Sequence, residues 1–402
     1  MNTLKISFKA DDFIRSVEKI LHFKSEGTTV DYVMLDIEDD VMKICFTNGK
    51  KSIIDKLGID NQDSMRDKFV VQLAYLEKLA NVIRGKGYLY VDEVDMEVES
   101  GNLNFKIFKK LLLREEESVE NRVMSLINYP VKYNKIEDNS RFSLFIRMNY
   151  SLVFNDDNYK MDKDELVNNL DICSEEKGRI VYISKELNSM FAVNLTHVVD
   201  IPMEVCVDRM VALSSQTASK LSKVISKFKG SLVYAYIIEG KYFCVCSEDG
   251  GSVVVVDMAP GSLMDRMRLN TYTEKSYNDV EMIFSNVVIA DAFSYFAADK
   301  ENGAVNVVDV EVDGDELVIR NKFNETRVTF EVITGDKSDN FKARFNAKLI
   351  EEMICKCKSD YIKISMEEEG EALFVRIADI VGVQDDDNYI LGNRVYTTFQ
   401  RH

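Results

Sequence analysis

The chain has no tryptophan, three prolines and three histidines in 402 residues. His22, His197 and His402 are too few and too scattered to supply a catalytic triad or a histidine-based metal site. No apolar run approaches the ~18 residues that cross a bilayer. The opening residues, MNTLKISFKADDF, lack a signal-peptide core, so a cytoplasmic location is expected. The seven cysteines are odd in number, and their only close pairs, Cys244/Cys246 and Cys355/Cys357, are C-x-C. With no adjacent histidine and no second pair at zinc-finger spacing, they are expected to be buried or half-buried free thiols rather than metal ligands. No G-x-G-x-x-G follows a strand, and no Walker loop occurs. Acidic runs such as Asp385-Asp386-Asp387 could hold magnesium for nucleotidyl transfer, but in a chain of net charge −17 a solvated loop is the simpler reading. No catalytic residue, cofactor or metal is therefore expected. The same net charge would argue against a nucleic-acid partner if it were evenly spread, and it is not.

What the chain does contain is one motif three times: a strand, a helix of roughly four turns, then alternating strands. The copies start at Phe69 (FVVQLAYLEKLANVIRGKGYLYVDE), Val211 (VALSSQTASKLSKVISKFKGSLVYAYI) and Phe341 (FKARFNAKLIEEMICKCKSDYIKISME). Aligned on their helices, Leu79, Leu221 and Ile350 coincide, as do Ile83, Ile225 and Ile354, at spacings of 142 (83 to 225) and 129 (225 to 354) residues. Self-similarity near one third of the chain sets the architecture.

Each copy looks like the second half of a longer unit. LKISF, DDFIRSVEKILHF, VDYVMLDIEDD and VMKICFTN precede the first copy, again strand, helix, strand, strand. VEMIFS, NVVIADAFSYFAAD, VNVVDVEVDG and DELVIRNK precede the third in the same order, with Asn286 a candidate helix N-cap. In the middle unit RFSLFIR is read as the opening strand, MNYSLVFNDD as a short helix, and DELVNNLDICSEE, GRIVYISKE and MFAVNLT as strands. Pro130 and Pro260 follow the last strands of the first and second units, where a residue without an N–H donor fits, and Pro202 falls between the halves of the middle unit. Domains are placed at 1–130, 131–270 and 271–402. Each would pack two helices against antiparallel sheet, an α+β layer arrangement.

Residues 214–230 contain no Asp or Glu. Ala218, Leu221, Ile225 and Phe228 form a buried stripe, and Lys220, Lys223 and Lys227 an opposite one, with Ser219, Ser222 and Ser226 beside it and Lys229 following. Arg15, Lys19 and Lys24 against Glu18, Lys78, Arg84 and Lys86 against Glu77, and Arg344, Lys348, Lys356 and Lys358 against Glu351 and Glu352 are weaker versions. A single lysine stripe usually marks a solvated helix face. Its recurrence on homologous helices points to a shared function, and lysines with small polar neighbours suit loose, sequence-independent phosphate contact. The excess acid is then expected on solvated outer strands and loops such as EVDMEVES, MEEEGE and VQDDDN.

Together these residues resemble a bacterial-type DNA polymerase sliding clamp, the β-clamp family. The resemblance runs through nearly the whole chain and is strongest at 64–108, 205–262 and 281–398. It implies three domains of one fold, two subunits closed head to tail into a ring, helices lining the hole and sheets outside. It also implies sequence-independent binding of duplex DNA, a replicative polymerase and a clamp loader as partners, and no enzyme activity. Tyr129-Pro130 matches the aromatic-Pro pair that follows a domain's last strand in the family, while Ala259-Pro260 keeps only the proline. The family's partner-peptide pocket implies two segments here. One is Tyr389-Ile390-Leu391-Gly392-Asn393-Arg394, with Gly-Asn in place of Met-Pro. The other is the turn at Ser184, Lys185 and Leu187, which does not keep the family's Thr-Asp-Gly-x-Arg-Leu. Such divergence suggests a phage version. The alternatives are a structural or assembly protein built from repeated sheet domains, and a nucleic-acid enzyme using acidic clusters and magnesium.

Overall fold

A computed structural model describes residues 4–25, 31–48, 50–61, 67–91, 95–108, 159–175, 179–194, 196–207, 209–238, 240–298, 306–336, 341–385 and 388–400. Among these residues one half-unit, a strand, a helix and three further strands, occurs six times. The first copy is β1 (Leu4–Lys9), α1 (Ala10–Leu21), β2 (Tyr32–Glu38), β3 (Val41–Thr47) and β4 (Lys51–Asp60). The second is β5 (Asp67–Gln72), α2 (Leu73–Val82), β6 (Lys86–Val91), β7 (Asp95–Ser100) and β8 (Leu103–Phe108). The third is β9 (Lys160–Asp162), α3 (Lys163–Ser174), β10 (Ile180–Ser184), β11 (Ser189–Val193) and β12 (His197–Pro202). The fourth is β13 (Val211–Ser214), α4 (Ser215–Ile225), β14 (Leu232–Ile238), β15 (Tyr242–Ser247) and β16 (Ser252–Asp257). After a connecting helix, α5 (Leu263–Thr273), come β17 (Val280–Ser285), α6 (Asn286–Ala297), β18 (Val307–Asp313), β19 (Glu316–Arg320) and β20 (Glu325–Thr329), then a short β21 (Val332–Thr334). The sixth copy is β22 (Lys342–Asn346), α7 (Ala347–Ile354), β23 (Tyr361–Glu369), β24 (Ala372–Asp385) and β25 (Asn388–Gln400). The architecture is α+β, built from antiparallel strand pairs.

The chain divides into two compact units, Met1–Asp171 with Cys206–Met258, and Ile172–Val205 with Ala259–His402. In the first, one sheet runs β8-β7-β6-β1-β4-β16-β15-β14-β9, and β5-β2-β3 joins it through β4. Its two parts meet where β4 pairs β16, from Lys51↔Val256 to Asp55↔Ser252. In the second, a sheet runs β10-β11-β12-β25-β24-β23-β17-β21, and a smaller one runs β20-β19-β18-β22. Here the corresponding join is β12 with β25, Asp200↔Arg394 to His197↔Thr397. Both joins use the last strand of an odd half-unit and the last strand of an even one.

The aligned apolar positions do what the repeat requires. Leu79, Leu221 and Ile350, and Ile83, Ile225 and Ile354, are all buried. The first unit's sheet also has a second apolar face. Asp55 bonds to Ser16 and Lys19 of α1, so Ile54 points the other way. Ile54 and its cross-strand neighbours Cys45, Met34, Val253, Cys246 and Tyr234 are buried there in one cluster. In β7 the acids Glu97 and Glu99 alternate with buried Met96 and Val98, as a half-solvated strand should.

Four local expectations change. The repeat helices are 8 to 12 residues long, shorter than four turns. DELVNNLDICS is a helix, not a strand: Asp162 caps it by accepting from Glu165 N at 2.8 Å, and Leu166, Leu170 and Cys173 are buried at helical spacing. Asn286 is the first helical residue rather than the N-cap, and its amide donates to the Ser359 carbonyl at 2.9 Å. Cys355 and Cys357 follow the end of α7, and Cys355 is exposed rather than buried or half-buried. Cys244 and Cys246 do share one strand face, with sulfurs 3.8 Å apart. RFSLFIR, MNYSLVFNDD and Tyr129-Pro130 lie outside the described residues. Among the described residues no helix is long and apolar enough to cross a membrane.

Candidate nucleic-acid interface and partner surface

The first unit brings α1, α2 and α4 together. Ser214 caps α4, its hydroxyl accepting from Thr217 N at 3.1 Å, and Ala218, Leu221, Ile225 and Phe228 anchor the helix in the core. The opposite side therefore carries the lysines. Lys227 pairs with Glu18 of α1, and Lys229 lies 3.5 Å from Asp12. Lys24, just after α1, pairs with Glu77 of α2 at 2.9 Å, and Arg15 sits 3.4 Å from Asp12. The acids Asp12, Glu18 and Glu77 are thus each engaged by a cation. Lys78 and Lys223 are exposed with no ion pair among the described residues, and Lys220 is half-buried. Lys86 lies along the Tyr88 ring, 5.3 Å from its centroid. Arg84 is exposed, but its guanidinium caps the end of α2 by donating to the carbonyls of Ile83 (2.6 Å) and Asn81 (3.1 Å). The positive field of this face reaches His22, held below the usual histidine range by burial and then by Lys227 and Lys223.

Two expected cations do not face solvent. Lys19 is 3% exposed, its amine 2.7 Å from Asp55 and 2.8 Å from the Ser252 hydroxyl. Lys356 is 9% exposed and bonds Glu175. Neither is placed to meet a phosphate. Ser222 is also buried and donates to Asp171, whereas Ser219 is half-buried and Ser226 exposed. Lys348 is exposed on α7.

The expected peptide-pocket residues all belong to the second unit. Ser184 is buried at the end of β10, and Lys185, Glu186 and Leu187 form the exposed turn into β11. Tyr389–Arg394 opens β25 beside irregularities in the β24 pairing. The registers Ser184↔Ser189, Ser189↔Pro202 and Asp200↔Arg394 put both segments at one end of the sheet, with β11 and β12 between them. They share an end but do not form one wall. Gly392 is required: a Cβ there would stand 2.7 Å from Val381 Cγ1 and 3.0 Å from Asp379 Cβ. Asn393 donates to the Lys356 carbonyl at 3.1 Å, and Arg394 lies 3.7 Å from buried Asp200. Lys363 covers Tyr389, Leu391 is half-buried, and Ile390 is half-exposed.

Sequence reasoning missed α5. Ser262 caps it and Asp265 sits three residues on, a capping-box spacing legible before an apolar run. Tyr182 fastens it to β10, donating to Asp265 at 2.7 Å and accepting from Ser262 N at 2.9 Å; burial pushes the phenol up to about 12. Arg266 then reaches Glu186 in the expected turn. This leaves Met264 (71%) and Met267 (55%) exposed one turn apart, next to the turn that carries Leu187. Flexible thioethers on an open helix suit an apolar peptide.

No family model and no curated protein matches this chain. Solved structures do match. The β subunit of DNA polymerase from Streptococcus pyogenes superposes with TM-score 0.69 at 11% identity, over 99% of this chain and 100% of that one. The DNA polymerase sliding clamp of Bacillus subtilis gives 0.67 at 11%, over 100% of both. The DNA polymerase III β subunit of Thermotoga maritima gives 0.66 at 11%, also over 100% of both. At such identities the likeness establishes architecture, and it extends over the full length of each chain: this protein has the DNA polymerase β sliding-clamp fold.

Proposed function

We propose that the protein is a DNA sliding clamp, a processivity factor that encircles duplex DNA and tethers a replicative polymerase. The observation that carries this is the sixfold half-unit and the edges it leaves. Within the chain, β4 pairs β16 and β12 pairs β25, each an odd half-unit's last strand with an even one's. Among the described residues, the last strands without such a partner are β20 and β8. A second copy supplies both complements, β8 to β20 and β20 to β8, so two chains close head to tail. The division into domains at 1–130, 131–270 and 271–402, two half-units each, belongs to the same reading.

A ring holds DNA by topology and needs only weak phosphate contacts. Exposed Lys78 and Lys223, with Arg15, Lys86, Lys220, Lys227 and Lys229 around them, supply contacts of that kind. The role is mechanical, with no reacting centre. A clamp loader and the polymerase would dock apolar peptide anchors on the second unit, where Leu187, Met264, Met267 and Ile390 stand exposed. The test is solution mass by light scattering, then retention on circular and linear duplexes. A mass of twice 46.1 kDa, with loaded protein kept on circles and lost from linear ends, supports the clamp. A monomer indifferent to DNA topology overturns it.

A further inference from the structure

The six half-units place their helices equivalently, so a ring built from them invites the expectation that all six helices share the duplex equally. Their exposed chemistry is unequal. In the first unit, α1, α2 and α4 and the residues just after them expose Lys24, Lys78, Arg84, Lys86, Lys223 and Lys229. Three of the acids on these helices are already engaged by Arg15, Lys24, Lys227 and Lys229.

In the second unit α6 contains no Lys or Arg. Its open side carries Val287 (67%), Val288 (51%) and Tyr295 (57%) with exposed Asp291. On α7 and the residues just after it, exposed Lys348 and Lys358 are offset by exposed Glu352 and Asp360 and half-buried Glu351, and Lys356 is committed to Glu175. Helix α3, whose residues up to Asp171 belong to the first unit, opens with exposed Asp164 and Glu165 and offers no free cation, since Lys163 is largely buried, donating to the Phe228 carbonyl. Surfaces of this kind release no counterions from a duplex and place carboxylates toward it.

We infer that, among the described residues, each chain holds DNA through a single phosphate-binding face, the α1–α2–α4 surface, and that α3, α6 and α7 make no phosphate contact. The inference rests on the clamp reading and adds which face of each chain grips the backbone.

The experiment measures binding of the full chain to a short labelled duplex across a salt series. It compares the unsubstituted protein with the double variant Lys78→Gln/Lys223→Gln and with Lys348→Gln. All three positions are exposed, and thermal melting checks that each variant remains folded. A plot of log K against log salt loses about 0.9 of slope for every phosphate contact removed. The double variant is expected to flatten by about 2 in a plot of that kind, and Lys348→Gln to superpose on the parent. Flattening by Lys348→Gln of a full contact or more, or an unchanged slope in the double variant, overturns the inference. Retention of the unsubstituted protein on circular DNA is read separately. If retention holds while the slopes contradict, the single-face inference is wrong and the clamp stands; if retention fails, the clamp reading itself is wrong.

Discussion

Lys19 and Asp55 form a buried ion pair, 2.7 Å apart with side chains 4% and 5% exposed, on the line where β4 meets β16. Ser252, the β16 residue opposite Asp55, bonds to both, and Ser16 of α1 donates to Asp55 as well. One polar cluster thus ties the first half-unit to the fourth. Burial pulls the Lys19 amine below the ordinary lysine value, and Asp55 opposes that pull.

Lys19→Met should cost about 3–5 kcal/mol, because it leaves the Asp55 carboxylate buried without its cation. Adding Asp55→Asn should recover much of the loss, since a neutral amide keeps hydrogen bonds to the serines. Urea unfolding of the single and double variants measures both steps. A loss under about 1 kcal/mol for Lys19→Met would mean the cluster is not a fastening.

The surface pairs on the same helices behave oppositely. Glu18→Gln with Glu77→Gln frees Lys227 and Lys24 while breaking exposed ion pairs worth at most about 1 kcal/mol each. Stability should barely change, and duplex affinity at low salt should rise several-fold, the gain vanishing in high salt. An unchanged or weaker affinity would place DNA on some other surface.

Lys19 also shows where sequence reading stops. A helical stripe says which residues share a side, and it placed Ala218, Leu221, Ile225 and Phe228 in the core correctly. It cannot say that a lysine on the stripe's border meets an acid 36 residues away in sequence, as Lys19 meets Asp55, or that Lys356 meets Glu175. Those pairings depend on tertiary contact. The repeat itself was legible because core spacing recurs whatever the surface does. Helix α3 was not, since its Val and Ile read as strand and its Asn pair weakens the period. The Asp162/Glu165 cap was the overlooked local signal. The Tyr389–Arg394 motif was found, but only the strand register shows that β11 and β12 separate it from the Leu187 turn.

His22 gives a pH signature. Its folded pKa lies below the ordinary value near 6.5, chiefly through burial and then through Lys227 and Lys223, with Glu18 opposing. The unfolded chain therefore takes up this proton first as pH falls. The stability contributed by neutral His22 is present above about pH 6.5 and is lost below it, as pH falls toward and through the folded pKa. His22→Gln should remove that component, making the fall in melting temperature between pH 7.5 and 5.5 shallower than in the parent. An identical fall in both proteins would assign the pH dependence to other groups.

The proposed ring closure can be tested with one backbone atom. Strands β7 and β8 are joined by a two-residue turn, with Ser100 opposite Leu103 and Gly101 at φ 59. In a hairpin of this kind Leu103, Phe105 and Ile107 exchange hydrogen bonds with β7, and the N–H of Asn104 points to the open edge. Asn104→Pro therefore removes a donor from the edge proposed to meet β20 of a second copy, while leaving the β7–β8 ladder its own bonds. The melting temperature of the separated chain should be little changed. The mass by light scattering should fall from twice 46.1 kDa to 46.1 kDa, and retention on circular DNA should disappear with it. A dimer of full mass in this variant would mean that β8 is not the closing strand, and that two chains meet through a different surface.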